Sequence, residues 1–281
     1  MNAGQQPGGA EPLRPVLFSV LGIDIQTYGV SKILAALLGA YLLGRAFERR
    51  GLPKDSAHAL VMWATIWGFV AAKAYYLLEQ LPDLSPHDLG GMGFTWYGGL
   101  IGGVTAGLVV IRRHRLPLGP VAADAAIPLT LAYGVGRLGC FFSGDGTYGR
   151  PSNLPWAMSF PNGVVATDVP VHPTPLYEAL AAVAIAGLLL MLRRRTTSGA
   201  VVFGGYLLLS GIARFLVEFL RVNEPVFLGR TQPQLWAIVG AIVGVLLMAL
   251  GLRGREPAPT RGVEHPVERI VEGAPVAGSA V

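Results

Sequence analysis

Seven apolar runs, each long enough to cross about 30 Å of hydrocarbon at about 1.5 Å of helix rise per residue, restrict this chain to a bundle of membrane-crossing helices. The hydropathy pattern predicts spans at roughly 28–47, 57–78, 96–111, 120–142, 175–192, 200–220 and 233–252. The third run is short and glycine-rich (GGLIGGVTAG), a composition that suits close helix packing in lipid. With 52% hydrophobic and 14% charged residues in 281, the chain reads as one all-α polytopic membrane domain.

Orientation is expected from the basic residues. Fourteen lie on one side of the predicted spans: Arg45, Arg49, Arg50 and Lys54; Arg112, Arg113 and Arg115; Arg193, Arg194 and Arg195; Arg253, Arg255, Arg261 and Arg269. The other side has Arg14, Arg150, Arg221 and Arg230, so the N-terminus is expected outside and the C-terminus in the cytoplasm. Residues 1–21 then form an N-terminal extracytoplasmic segment, 22–253 the seven-helix domain, and 254–281 a polar, Pro- and Gly-rich cytoplasmic tail expected to be disordered. Within the domain, the outer stretch 143–174 mixes turn residues with short apolar pieces (WAMSF, GVVATDVPV) and is expected to be an ordered surface element with short strands or half-helices.

Several function classes are disfavoured. The net charge of +5 sits in short arginine clusters between apolar runs, which is the pattern of cytoplasmic loops and not of a nucleic-acid surface. Cys140 is the single cysteine, so no intrachain disulfide is expected. The first fifteen residues lack a basic n-region, so the first helix is expected to stay. No metal-ligand spacing, P-loop, dinucleotide fingerprint or nucleophile elbow is found in the sequence, and neither cofactor nor metal is expected.

Inside the apolar runs lie four cations: Lys32, Lys73, Arg137 and Arg214. Under the expected topology they fall at nearly one depth, Arg137 and Arg214 roughly 7–9 Å below the outer boundary by helix rise. Buried charge is costly in lipid, so four cations in one leaflet point to an anionic ligand, and a phospholipid headgroup is the anion found there. Guanidinium forks suit phosphate better than ammonium groups, which makes Arg137 and Arg214 the main candidates. The bland readings are snorkelling of the lysines and an i, i+4 ion pair between Arg214 and Glu218. Polar residues near midplane and broken helices, as in a transporter, are not the pattern here.

Three stretches add polar groups at that level. GVGRLGCFFSGDGTYGR (134–150) sets Arg137 between glycines and ends in a turn whose N–H groups can meet an anion. VHPTPLYEAL (171–180) fixes His172 just before a helix and carries Tyr177 and Glu178 into its first turn. GFTWYGGLIGG (93–103) places Trp96 and Tyr97 at the interface, where Gly98 and Gly99 allow lipid or backbone to approach. His172 and His87 are the two histidines expected on this face, and His172 is the candidate for proton transfer.

GRLGCFFSGDGTYGR resembles the signature of bacterial prolipoprotein diacylglyceryl transferases. AKAYYLLEQ, GGMGFTWYGGLIGG, HPTPLYE and ARFLVEFLR resemble further blocks of the same family, over about residues 22–250. The resemblance implies seven helices in the bacterial inner (plasma) membrane. It also implies transfer of a diacylglyceryl group from phosphatidylglycerol to the lipobox cysteine thiol of a prolipoprotein signal peptide, with release of glycerol phosphate. Matched positions make Arg137 and Arg214 the essential arginines, Tyr28 the first-helix tyrosine and Asp145 the signature acid. The family usually has histidine at Tyr97, asparagine at Cys140 and Ser143, tyrosine at Ser210 and glutamate as its acid, in a turn one residue shorter. The histidine's base role then passes to Tyr97 or His172, both counted as catalytic with the two arginines. Tyr28, Lys73, Gly98, Gly99, Asp145, Tyr177 and Glu178 are the expected substrate contacts. The attacking cysteine is the substrate's, and Cys140 is expected to be a small buried residue. The alternative is a catalytically divergent paralogue that binds or moves anionic phospholipid, or modifies a different acceptor.

Overall fold

The computed structural model describes residues 15–20, 23–81, 84–89 and 93–254. The expected disordered tail, apart from Gly254, and most of the expected N-terminal segment lie outside these residues, as does the side chain of His87.

A short hairpin of β1 (Val16–Val20) and β2 (Ile23–Gln26) leads into α1 (Thr27–Arg50), followed by α2 (Lys54–Glu79), α3 (Trp96–Arg113) and α4 (Leu118–Ser143). A second hairpin, β3 (Met158–Phe160) and β4 (Thr167–Val171), precedes α5 (Thr174–Arg195) and α6 (Gly199–Glu218). A third, β5 (Pro225–Phe227) and β6 (Arg230–Thr231), precedes α7 (Gln232–Arg253). Each of the seven expected spans corresponds to one of these helices. Six of the seven are long and apolar enough to cross a membrane; α3, with five glycines and two terminal arginines, is not one of the six.

The helix ends follow from their residues. Gly51 and Gly144 terminate α1 and α4 in the left-handed conformation that glycine adopts without penalty. Ser198 caps α6 by accepting from Val201 N–H, and Gln234 accepts from Thr231 N–H at the start of α7. Pro173 precedes α5 and Pro175 sits in its first turn, where a missing N–H costs nothing.

Burial is partial, as a lipid-facing bundle requires. In α2 only Ser56, Ala57 and Ala72 are buried, while Trp63, Trp67 and Phe69 are exposed. The best-packed core joins α4, α5 and α6 through Ala126, Leu189 and Val202. Another joins α1, α2 and α4 through Leu43, Phe47, Ala57 and Val121. At the end of the bundle where α4 finishes and α5 starts, Phe141, Phe160 and Val171 form a small core. It seats the 144–173 segment on the helices, and this segment contains the short strands expected of it.

At the opposite end Asp124 of α4, completely buried, accepts from Arg50 Nε at 2.6 Å and Nη2 at 3.0 Å and from Arg193 Nη2 at 2.5 Å. Two arginines counted above only for orientation thus tie α1 and α5 to α4. Asp124→Asn is expected to lower stability by about 1–2 kcal/mol; both guanidiniums are a third exposed, so the value for a buried pair is discounted for solvent screening. Thermal unfolding in detergent measures it, and an unchanged midpoint would make the pair decorative.

Candidate functional site

The site forms where the C-terminal turns of α4 and α6 meet the first turns of α5. Glu178, 5% exposed, is its centre. Its Oε1 lies 2.9 Å from Arg214 Nη1 and accepts a 2.5 Å hydrogen bond from Tyr133 Oη. Its Oε2 meets Arg137 Nε at 3.5 Å and Arg221 Nη1 at 3.7 Å, distances of ion pairing without a hydrogen bond. Arg214 also reaches Glu218 Oε2 through Nη2 at 2.8 Å, so the i, i+4 pair considered from sequence exists and forms part of a larger network. Glu218 Oε1 in turn accepts from Asn223 Nδ2 at 2.6 Å and from Thr231 Oγ1 at 2.8 Å.

Three guanidiniums therefore face two carboxylates. Arg137 also lies over the Tyr133 ring at 4.9 Å. Among the described residues, Glu178 is the one carboxylate in ion-pair range of Arg137, at 3.5 Å from its Nε. That contact is an ion pair without a hydrogen bond, so the donors of Arg137 are not used up on Glu178 Oε2.

Arg221, Glu218 and Tyr133 belong to this network although sequence reasoning did not place them in the site. The signal was present in ARFLVEFLR, which sets Arg214, Glu218 and Arg221 at i, i+4 and i+7, and in the Tyr133–Arg137 spacing of i, i+4. Arg221 donates to the carbonyl of Thr147 at 2.8 Å, and Thr174 Oγ1 donates to the same carbonyl at 2.7 Å. Arg150 N–H donates to the Leu220 carbonyl at 2.7 Å. These bonds bind the turn after α4 to the end of α6. Burial, with Arg214 nearby, lowers the Arg221 pKa from the usual guanidinium value, while Glu178 and Glu218 favour its charge.

The remaining expected residues divide between this centre and its surroundings. Tyr28, 40% exposed, has Arg137, Cys140 and Asp145 as charged or titratable neighbours, and Asp145 accepts from the Thr147 N–H and hydroxyl. Cys140 is buried in α4, as expected for a small packing residue. Tyr97 packs edge-on against Trp96 and beside Trp236, with Arg214 and Glu218 as charged neighbours. His172 Nδ1 lies 3.4 Å from Tyr177 Oη, which accepts from Trp156 Nε1 at 2.7 Å.

Lys73 donates to the Asp88 carbonyl at 2.6 Å and lies over the rings of Tyr76 and Phe94. It holds the 84–89 loop on α2. Gly98, expected among the substrate contacts, is buried, and a Cβ built on it would meet the Ala71 carbonyl and Tyr75 Cβ. Gly99 lies 3.5 Å, measured from a built Cβ, from Ala72 Cβ and the Gly68 carbonyl. α2 lies against both glycines; it leaves no room for a side chain at Gly98, while at half-buried Gly99 a Cβ would make ordinary contact.

Apolar helices that leave much of their surface uncovered, with an arginine–carboxylate centre at one end, define a multi-pass membrane protein. Residues 15–250 match the family described as prolipoprotein diacylglyceryl transferase, and the chain belongs to that family. Relatives named phosphatidylglycerol–prolipoprotein diacylglyceryl transferase occur in Geobacter sulfurreducens (35% identical, over 74% of this chain and 82% of the relative) and Clostridium tetani (31%, 74% and 86%). Another is that of Trichormus variabilis (31%, 87% and 92%).

Proposed function

We propose that this chain transfers the diacylglyceryl group of phosphatidylglycerol to the lipobox cysteine thiol of a prolipoprotein. On this reading it crosses the bacterial inner membrane seven times, with α3 as the short span. The N-terminus and the 143–174 segment lie outside, the arginine centre sits in the outer leaflet, and the Arg50–Asp124–Arg193 end and the 254–281 tail face the cytoplasm. The carrying observation is the convergence of Arg137 and Arg214 on one buried carboxylate, Glu178, at the end of a bundle of this family.

The chemistry follows from charge. The thiol sulfur attacks the glyceryl carbon that bears the phosphate ester; a C–S bond forms, the C–O bond breaks, and the electron pair leaves with glycerol phosphate. Arg137 and Arg214 hold the phosphate and stabilise the charge growing on it, the term that usually dominates such catalysis. Glu178 sets the direction of both guanidiniums, and Tyr28 and Asp145 offer a donor and an acceptor to the polar head. Of the two proton-transfer candidates, Tyr97 shares the neighbourhood of Arg214 and Glu218, whereas His172 is turned to Tyr177. We assign the transfer to Tyr97: its hydroxyl oxygen takes the thiol proton as its own proton passes to the departing phosphate. Tyr97→Phe is expected to lower kcat about 10²-fold with KM little changed, while His172→Ala stays within about threefold of the parent. The reverse ranking in initial-rate kinetics would move the assignment to His172.

Mass spectrometry of a lipobox peptide incubated with the purified protein and phosphatidylglycerol tests the function. A gain of one diacylglyceryl unit that is lost in Arg137→Ala is the expected result. Bound phosphatidylglycerol without product would identify the lipid-binding paralogue instead.

A further inference from the structure

Lys32 is the cation whose surroundings the proposed chemistry has not used. It lies six residues into α1 with its ammonium over the Tyr28 ring, 4.6 Å from the centroid. A Cβ built on Gly136 would lie 3.5 Å from Lys32 Nζ, so the ammonium rests against the backbone immediately before Arg137. Two glycines make this approach possible. Gly136 leaves room for the ammonium, and Gly139, one turn further along α4, leaves room for Ser31, the residue before Lys32. The charged and titratable groups that face the ammonium are Arg137, Asp145 and Cys140. Among the described residues Lys32 has no carboxylate within ion-pair distance, whereas Arg214 and Arg221 each have two.

The charge balance then depends on Lys32. Arg137, Arg214 and Arg221 pair with Glu178 and Glu218, and Lys32 has Asp145 as its acidic neighbour, so these four cations exceed these three carboxylates by one charge. A glycerophospholipid with an uncharged head alcohol carries one negative charge, on its phosphate.

We propose that Lys32 is a further substrate-binding residue, seating the anionic phosphate of the lipid from the α1 side while Arg137 seats it from α4. This deepens the reading above and rests on it for the identity of the ligand. A lysine is suited to the part because a compact ammonium acts as a point charge and does not compete with the Arg137 fork for direction. A lysine that merely snorkels would instead contribute nothing specific to an anionic lipid.

The test is Lys32→Met, which keeps the stem, beside Lys32→Arg, which keeps the charge. The apparent KM for phosphatidylglycerol is expected to rise roughly tenfold in Lys32→Met, equivalent to about 1.4 kcal/mol of lost charge-assisted contact. kcat should stay within about twofold, and Lys32→Arg should recover most of the difference. In parallel, native mass spectrometry after exposure to equal dioleoyl phosphatidylglycerol and dioleoyl phosphatidylcholine should show Lys32→Met losing its preference for the anionic lipid. An unchanged KM and an unchanged lipid ratio would overturn the inference, as would a fall in kcat alone. If the unaltered protein transfers nothing to a lipobox peptide, the proposed function fails and the lipid ratio decides by itself: a lost preference supports Lys32 as an anion seat, and a retained one removes it.

Discussion

Arg214→Ala is expected to lower kcat/KM for diacylglyceryl transfer by about 10³-fold, at the upper end of what removing one preorganised donor to a developing anion costs. The size follows from its position. One guanidinium bridges Glu178 at 2.9 Å and Glu218 at 2.8 Å, so it orders two carboxylates as well as contacting substrate. Without it, Glu178 keeps only the longer contacts to Arg137 and Arg221 besides the Tyr133 hydroxyl. The Arg137 guanidinium is then drawn further towards Glu178 and away from the phosphate. Arg214→Lys should recover little, because one ammonium cannot span two carboxylates and a phosphate in the fixed planar geometry that a guanidinium supplies. Initial rates on a lipobox peptide at varied phosphatidylglycerol, with thermal unfolding to establish that each variant is folded, check this. A folded Arg214→Lys within tenfold of the parent would mean that the bridge is not what positions the charge.

The apolar runs placed the seven helices to within three residues at every end, because hydrophobic length is a local property of the chain. α1 extends to Arg50 and not to 47 because the basic residues of its last turn remain helical until Gly51 ends it. Depth along each helix was legible too, which is why Arg137, Arg214 and Glu178 were chosen together. The direction in which each residue points around its helix was not, since that is set by which small residues let neighbouring helices touch. Hence the sequence does not show that Lys73 donates to the Asp88 carbonyl, or that α2 lies against Gly98. The Arg50–Asp124–Arg193 pairing was invisible for the same reason: its members are separated by 74 and 69 residues, and no local pattern joins them. The i+7 spacing of Arg221 from Arg214 was legible, but Arg221 lies three residues beyond α6, in a turn fixed by the Thr147 and Leu220 hydrogen bonds, which no local pattern shows.

Direction around the helix has a measurable consequence at Gly139. A methyl group added there would fall on Oγ and Cβ of Ser31, far inside the 3.5–4.0 Å at which carbon atoms normally rest. Rotating the serine hydroxyl away does not solve this, because Cβ is fixed to the α1 backbone and Ser31 is buried with no space to retreat. Gly139→Ala must therefore push α1 from α4 by about 1 Å or more, and we expect a loss of about 3 kcal/mol, the upper part of the usual overpacking range. The same movement carries Tyr28 and Lys32, on the turn of α1 that includes Ser31, away from Arg137, so affinity for phosphatidylglycerol should fall in the protein that remains folded. The pattern of rescue identifies the cause. Ser31→Ala keeps the offending Cβ and should not restore stability or affinity to Gly139→Ala, whereas Ser31→Gly removes it and should restore most of both. Thermal unfolding and the apparent KM of the parent, the three single variants and the two double variants, taken as two double-mutant cycles, provide the measurement. Equal rescue by alanine and glycine would place the strain elsewhere and leave the α1–α4 approach without its part in setting the site.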